Sequence, residues 1–229
     1  MADDVKTHRG LTTERVVDAA LRAADEGGIE AVSLRRLAGT LEVTPMAIYR
    51  HVRNKSHLLD LMAERLLEQV DLAPNQLATW QDRLRRLLAS YQAVVAAHLA
   101  APLLLSRPFV SPAVPRATEA LLAIFHSAGL DAGQSARVLQ VISGMLLGPA
   151  IHRATWATAA RDRPLDAARQ QASMEALSAD EFPLWSAVEQ FTDWSPGADA
   201  DRLTIELLVG GLEALAEQPN RGRPARRRR

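Results

Sequence analysis

The side chains of this sequence best suited to chemistry are gathered in one short stretch. Between Ser33 and His57, five cations (Arg35, Arg36, Arg50, Arg53 and Lys55) face one acid, Glu42, a local balance of +4 in a chain whose formal net charge is zero. Guanidinium and ammonium groups clustered on a compact unit are the footprint of a phosphate-binding surface. Lys55 is the most informative of them. A cation in the first turn of a helix opposes the macrodipole, and makes sense where a phosphate is held jointly by free amides and the ammonium. Bond-making chemistry has no comparable signature. His8, His51, His57, His98, His126 and His152 lack HExxH-type or other metal-ligand spacing. There is no glycine-rich phosphate loop and no Gly-x-Ser-x-Gly elbow. Cysteine is absent, and with it any thiol nucleophile, disulfide or thiolate metal site. The expectation is a binding protein, not an enzyme, with neither metal nor cofactor.

The elements that must position these cations are short helices. Ser33 is a candidate cap for a helix in which Leu34, Leu37, Ala38 and Leu41 recur at three- and four-residue spacing. Val43 plugs the following turn. Thr44-Pro45 opens a second helix, running to Val52: Thr accepts an amide proton as N-cap, and Pro occupies the first position, where no amide bond is lost. Ile48 and Val52, four apart, form its inner face. At about 100° per residue, Met46 and Arg50 then point outward, with Ala47, Tyr49 and His51 on the flanks. Asn54 caps a further helix, reaching to about Val70 with Leu58, Leu59, Met62, Leu66 and Leu67. An earlier helix starts at Thr12 or Thr13, carries Val16, Val17, Ala20, Leu21 and Ala24, and ends at Gly27-Gly28. Two short helices about a tight turn form a helix-turn-helix, whose second helix enters the major groove of DNA.

The remainder reads as helical throughout, giving an all-α chain with no strand pattern and no internal repeat. Trp80, Leu84, Leu87, Leu88, Tyr91, Val94, Val95 and His98 repeat at helical spacing. Pro102, Pro108, Pro112 and Pro115 divide the next stretch, and a helix through Ala117, Leu121, Leu122 and Phe125 ends at Gly129. Asp131 and Gln134 form a capping box ahead of a helix at 132–155 that is apolar nearly all round and must be buried on both sides. Residues 156–177 are polar, Ala- and Arg-rich, and read as a long loop with little helix. Ser178 and Glu181 form a second capping box. A last helix, at 199–217, is interrupted by Gly210-Gly211. The divisions are an N-terminal arm at 1–11, a DNA-binding domain with its connecting helix at 12–70, a helical body at 71–218, and an Arg-rich tail at 219–229. Six of the last ten residues are Arg, so residues 1–219 hold 21 basic against 27 acidic groups, a balance of −6. Such a tail is an electrostatic auxiliary, adding affinity without sequence preference. The polar, acidic start is unlike a signal peptide, and no apolar run is long enough to span a bilayer. A cytoplasmic protein with no membrane partner is expected.

Several motifs resemble one family. Leu34-x-x-Leu37-Ala38, the Thr44-Pro45 opening, and Ile48-Tyr49-Arg50-His51-Val52-x-Asn54-Lys55-x-x-Leu58-Leu59 look like the head of the tetracycline-repressor (TetR) family of bacterial transcriptional regulators. The apolar helix after Gly129-Leu130, Phe182-Pro183-Leu184, and the ending Leu207-x-x-Gly210-Gly211-Leu212-Glu213-Ala214-Leu215 are similar to the body of the same family. One departure is Glu42, at a turn position where the family usually carries Gly; the turn is strained unless Glu42 accepts a left-handed conformation. The resemblance implies a homodimeric repressor that binds a palindromic double-stranded DNA operator and is released by a small-molecule effector. Alternatives are an activator of the same family, or a helical small-molecule-binding or scaffold protein without operator binding. The expected DNA-facing residues are Arg35, Thr44, Pro45, Met46, Ala47, Tyr49, Arg50, His51 and Lys55. Arg50 is suited to guanine and Met46 and Ala47 to thymine methyls, while Tyr49, His51 and Lys55 lie where the family contacts the backbone. The helices at 132–155 and 199–217 are the implied four-helix dimer interface, with Leu139, Ile142, Leu146, Leu208, Leu212 and Leu215 as its apolar residues. A mostly apolar effector cavity uses a few polar groups for orientation. Candidate lining residues are Tyr91, His98, Phe125, Met145, Trp156 and Trp185, of which two or three touch ligand.

Overall fold

Side-chain caps set where the helices of the head begin. Thr12 accepts the Arg15 amide (3.2 Å), Thr44 the Ala47 amide (3.3 Å) and Asn54 the His57 amide (2.8 Å). These satisfy donors that the first helical turn leaves without partners. Ser33 departs from expectation: its side chain makes no capping bond. The computed structural model describes residues 10–72, 77–109, 111–162, 166, 168–169, 172–173, 176–177, 180–189 and 198–217. The head comprises α1 (Thr13–Gly27), a 3-10 turn (Ile29–Ala31), α2 (Leu34–Thr40) and α3 (Pro45–Tyr49), followed by the connecting α4 (Lys55–Glu68). The body holds α5 (Trp80–Ala97), α6 (Ala101–Ser106), α7 (Ala113–Ser127), α8 (Ala132–Asp162), α9 (Pro183–Glu189) and α10 (Ala198–Ala216). Every regular element among the described residues is helical.

The turn between α2 and α3 accepts Glu42 in the left-handed region, at φ 55°. Its geometry is a Schellman motif: the Val43 amide donates to the Ala38 carbonyl (2.9 Å) and the Glu42 amide to that of Gly39 (3.1 Å). α3 is shorter than the sequence implies, ending at Tyr49 instead of Val52. Its hydrogen bonds nevertheless continue, since the His51 and Val52 amides both donate to the Ile48 carbonyl (2.9 and 3.0 Å).

Two apolar clusters hold the chain together. The first joins Val16, Ala20, Leu37, Ile48 and Val52 of the head to Leu58, Met62 and Leu66 of α4, and extends to Val95, Ala101 and Leu104 of the body. The second packs Leu84 and Leu88 of α5 with Phe125, Ile142, Leu146, Leu208 and Leu212. Head and body therefore share one continuous interior, with α4 at its centre.

Three expectations for the body change. α8 continues as helix through 156–162, which the sequence marks as loop. α10 runs unbroken across Gly210-Gly211, where an added Cβ would meet nothing within 4 Å. Ile142, Leu146, Leu208 and Leu212 are inside the chain's own core, and Leu139 and Leu215 pack against it. They cannot be the free dimer face. What α8 and α10 leave open is Val141 (55% exposed), Leu203 (59%) and Leu207 (60%) beside the exposed Gly144 and Gly148. The start of the second capping box at Ser178 lies outside the described residues, as do the arm through residue 9 and the tail. The Asp131–Gln134 box is present, with reciprocal bonds of 2.8 and 2.9 Å.

The left-handed Glu42 generates a stability test. Glu42→Gly should raise the unfolding free energy by about 1 kcal/mol by removing Cβ crowding, whereas Glu42→Ala, which keeps Cβ, should leave it nearly unchanged. Urea unfolding monitored by circular dichroism measures both; a less stable glycine variant contradicts the strain.

Candidate nucleic-acid interface and the cavity behind it

On α3 the buried pair Ile48 and Val52, both fully enclosed, fixes which side chains can reach DNA. Met46 is 70% exposed and Tyr49 50%, and Arg50, Thr44, Pro45, Arg35 and Lys55 are also exposed. These residues form one surface because α3 packs directly on α2. Ala47 does not belong to it. It is buried at 3% exposure, so of the two side chains expected to meet thymine methyls only Met46 is exposed. His51 is half-buried, and its Nδ1 lies 3.2 Å from the Thr13 hydroxyl of α1. Lys55 Nζ donates to the Ile29 carbonyl (3.2 Å), pinning the start of α4 to the turn after α1. An ammonium has three donors, so two remain for phosphate.

Behind the head lies a cavity of about 210 Å³ between α4, α5, α7 and α8. Leu67 and Val70, at the far end of the helix that supports the head, form part of its wall. Leu88, Phe109, Leu121 and Leu147 are among the others. Tyr91 lines this cavity, as its place on the α5 apolar face implies. Phe125, Met145, Trp185 and His98 do not. Phe125 is fully enclosed in the body core, where its ring fills the interior instead of bounding a space. Met145 packs against the same core, and Trp185 on α9 is half-buried away from the cavity. The Trp156 side chain lies outside the described set. His98 is an electrostatic tie: its Nδ1 sits 2.8 Å from Asp25 Oδ2, joining the end of α5 to α1. Arg107–Asp60 (3.2 Å) and Arg65–Asp18 (3.3 Å) add two more ties, from the end of α6 to α4 and from α4 to α1.

Sequence reasoning missed most of the wall because it is aliphatic. The available signal was the doubled apolar width of α4 at Leu66-Leu67, more than a helix needs to cover one face. Ser143 was also missed. Its hydroxyl donates to the Leu139 carbonyl of its own helix (3.0 Å) while lining the cavity. Burial pushes the Tyr91 phenol up to about 12, because a phenolate would be poorly solvated in that apolar surround.

A three-helix head presenting one short cationic helix, continuous with a hollow helical body, defines a helix-turn-helix protein built for DNA and for a small molecule. Residues 16–62 match the model described as bacterial regulatory proteins, tetR family, and residues 73–215 that of the tetracyclin repressor-like C-terminal domain. The chain is 30% identical over 219 residues to the HTH-type transcriptional repressor DrrR1 of Streptomyces coeruleorubidus, covering 91% of this chain and 79% of that one. A possible TetR family regulator from Streptomyces coelicolor A3(2) has the same fold, with TM-score 0.76, 25% identity, and coverage of 89% and 100%. ActR of Streptomyces coelicolor, solved in complex with (S)-DNPA, matches with TM-score 0.67 at 25% identity, covering 90% and 99%. The chain belongs to the tetR family of bacterial transcriptional regulators.

Two predictions follow from this geometry. Arg50→Ala should cost about 1–3 kcal/mol of operator affinity and relax preference at one symmetric base-pair position. Lys55→Ala should weaken all sequences alike and lower the salt slope by about one per subunit. Titrations over an operator library at two salt concentrations read both, and a shift in base preference from Lys55→Ala alone would reverse the assignment. The second concerns pH. The unfolded phenol of Tyr91 ionises near 10.0 and the folded one near 12. Its contribution is therefore intact below pH 10 and declines as pH rises towards 12, by up to about 1.4 kcal/mol per pH unit. In Tyr91→Phe that part of the alkaline slope should vanish; an unchanged slope in urea melts between pH 9.5 and 12 contradicts it.

Proposed function

We propose that two copies of this chain pair through α8 and α10, place their two α3 helices in successive major grooves of a palindromic operator, and repress transcription there. A largely apolar small molecule entering the cavity then releases the DNA. The observation that carries this reading is the double role of α4. Leu58, Met62 and Leu66 share the head's core with Ile48 and Val52 while α4 packs on α1, and Leu67, with Val70 just beyond the helix end, bounds the cavity. An occupant of the cavity therefore presses on the same rigid element that sets the attitude of the head. That DrrR1 is a repressor and that ActR holds a small molecule supports the same assignment.

Pairing is supported by the surface the body leaves uncovered. Val141, Leu203 and Leu207 are each more than half exposed, on two adjacent helices whose exposed glycines at 144, 148, 210 and 211 permit close backbone approach. Because Met46 and Arg50 read only a few base edges, a pair of heads on a two-fold site is the natural way to gain affinity and specificity. A regulator of this kind works in the cytoplasm, beside the chromosome. Among the described residues no helix is long and apolar enough to cross a membrane.

The experiment combines sedimentation with a gel shift on DNA from immediately upstream of the protein's own gene. Wild type should sediment at twice the 25.0 kDa chain mass and give one discrete shifted band. Val141→Glu with Leu207→Glu should yield a monomer with native helicity and at least about a hundredfold weaker binding, since unpaired buried carboxylates are costly. A folded wild-type monomer binding the operator at full affinity contradicts the reading.

A further inference from the structure

Among the described residues of the cavity wall only two side chains can make a directional contact, Tyr91 of α5 and Ser143 of α8; the other thirteen described lining residues are apolar. They are complementary in kind. Tyr91 is partly buried, and among the described residues its hydroxyl makes no hydrogen bond, so the O–H is free to meet an occupant. Desolvation keeps this phenol protonated well beyond neutral pH, so towards an occupant it is a donor. Ser143, which lines the cavity while remaining exposed, is in the opposite condition. Its hydrogen is committed to the Leu139 carbonyl, and what it offers is lone pairs, making it an acceptor. Among the described residues no charged side chain lines the cavity, so none of them compensates the desolvation of an ionised ligand. At about 210 Å³ it is also smaller than the roughly 300–1,000 Å³ that drug-sized ligands occupy.

We propose that the cavity selects a neutral, compact, mostly apolar molecule of fused-ring size, bearing a carbonyl-type acceptor for Tyr91 and a hydroxyl donor for Ser143, and that these two residues set ligand specificity. The proposal rests on the reading of this cavity as the effector site and names the chemistry of its occupant. The discrimination is of the strong kind. A site built around a hydrogen-bonding group rejects an analogue lacking it more sharply than an apolar pocket rejects a missing methylene. A carboxylate in place of the hydroxyl is excluded twice, by its charge and because it presents only acceptors to an acceptor.

Four bicyclic probes test it by isothermal titration calorimetry on the full-length dimer: tetralin, 1-tetralone, 6-hydroxy-1-tetralone, and the 6-carboxylate of 1-tetralone. Wild type should bind them in the order 6-hydroxy-1-tetralone, 1-tetralone, tetralin, each step being about five- to tenfold, with no detectable carboxylate binding. In Tyr91→Phe, 1-tetralone should fall to the level of tetralin, while tetralin itself is unaffected. In Ser143→Ala the advantage of the 6-hydroxyl should disappear and the affinity for 1-tetralone stay as in wild type. Both variants remove a single oxygen, and circular dichroism confirms that they fold. Undiminished 1-tetralone binding by Tyr91→Phe overturns the proposal, as does tight binding of the carboxylate, or no binding of any probe. A gel shift with the tightest probe separates this inference from the functional reading. Probes that bind in the expected order without releasing operator DNA leave the donor–acceptor assignment standing and refute the effector role of the cavity.

Discussion

The constraint on which the rest of this structure depends is that one helix is buried twice. Leu58, Met62 and Leu66 of α4 are fully enclosed, in the interior that also holds Ile48 and Val52. Leu67 and Val70 face the cavity of the body. Protein interiors are close-packed and transmit displacement instead of absorbing it. Under the proposed reading, a molecule seated against Leu67 would not shift that end of α4 without reorienting the end packed on α1 in the head. The ligand has leverage only insofar as it fits one position of α4 better than another. Cationic surface, cavity and connecting helix thus make a single device.

The ion pairs around α4 limit how it can move. His98–Asp25 and Arg107–Asp60 run from the body to α1 and α4, and Arg65–Asp18 holds α4 to α1. The last is half-exposed and individually weak. Together they tie α1 to α4 and to the body, so under the proposed coupling a displacement of α4 would move the head as one piece. Lys55 contributes at the other end, through its bond to the Ile29 carbonyl. Left-handed Glu42 keeps the turn between α2 and α3 in the geometry that lays α3 outermost, at a backbone cost that a glycine would not incur.

The head was legible in the sequence because its periodicity is clean. Ile48 and Val52 four apart, with Thr44 and Asn54 as caps, leave one arrangement for α3. Ala47 was misplaced because a rotation of 100° per residue locates a small side chain only to within a flank, and α2 closes that flank. The body was legible as helices but not as faces. α8 is apolar nearly all round, so no polar stripe marks which side belongs to the chain's own core. Leu139, Ile142 and Leu146 point inward, and Val141 with two glycines is left outside. Gly210-Gly211 reads as a break, since each glycine costs about 1 kcal/mol in a helix interior. Burial of Leu208, Val209 and Leu212 outweighs that local preference. Cavity residues were the least legible. Aromatic side chains attract attention, yet Phe125 is core; the wall is built largely from leucines and valines drawn from five helices, α4 to α8, a set defined only by the tertiary fold.

The most direct test of the coupling is a distance between the two heads. Because the chain has no cysteine, Arg22→Cys on the exposed side of α1 gives one spin label per subunit. Double electron–electron resonance on the dimer then reports head separation. One distribution is predicted with operator DNA bound and a displaced one when the cavity is filled, with the displacement lost if Leu67→Ala opens space against α4. An identical head separation with and without a bound cavity ligand, under conditions where that ligand releases the operator, would contradict the role given to α4.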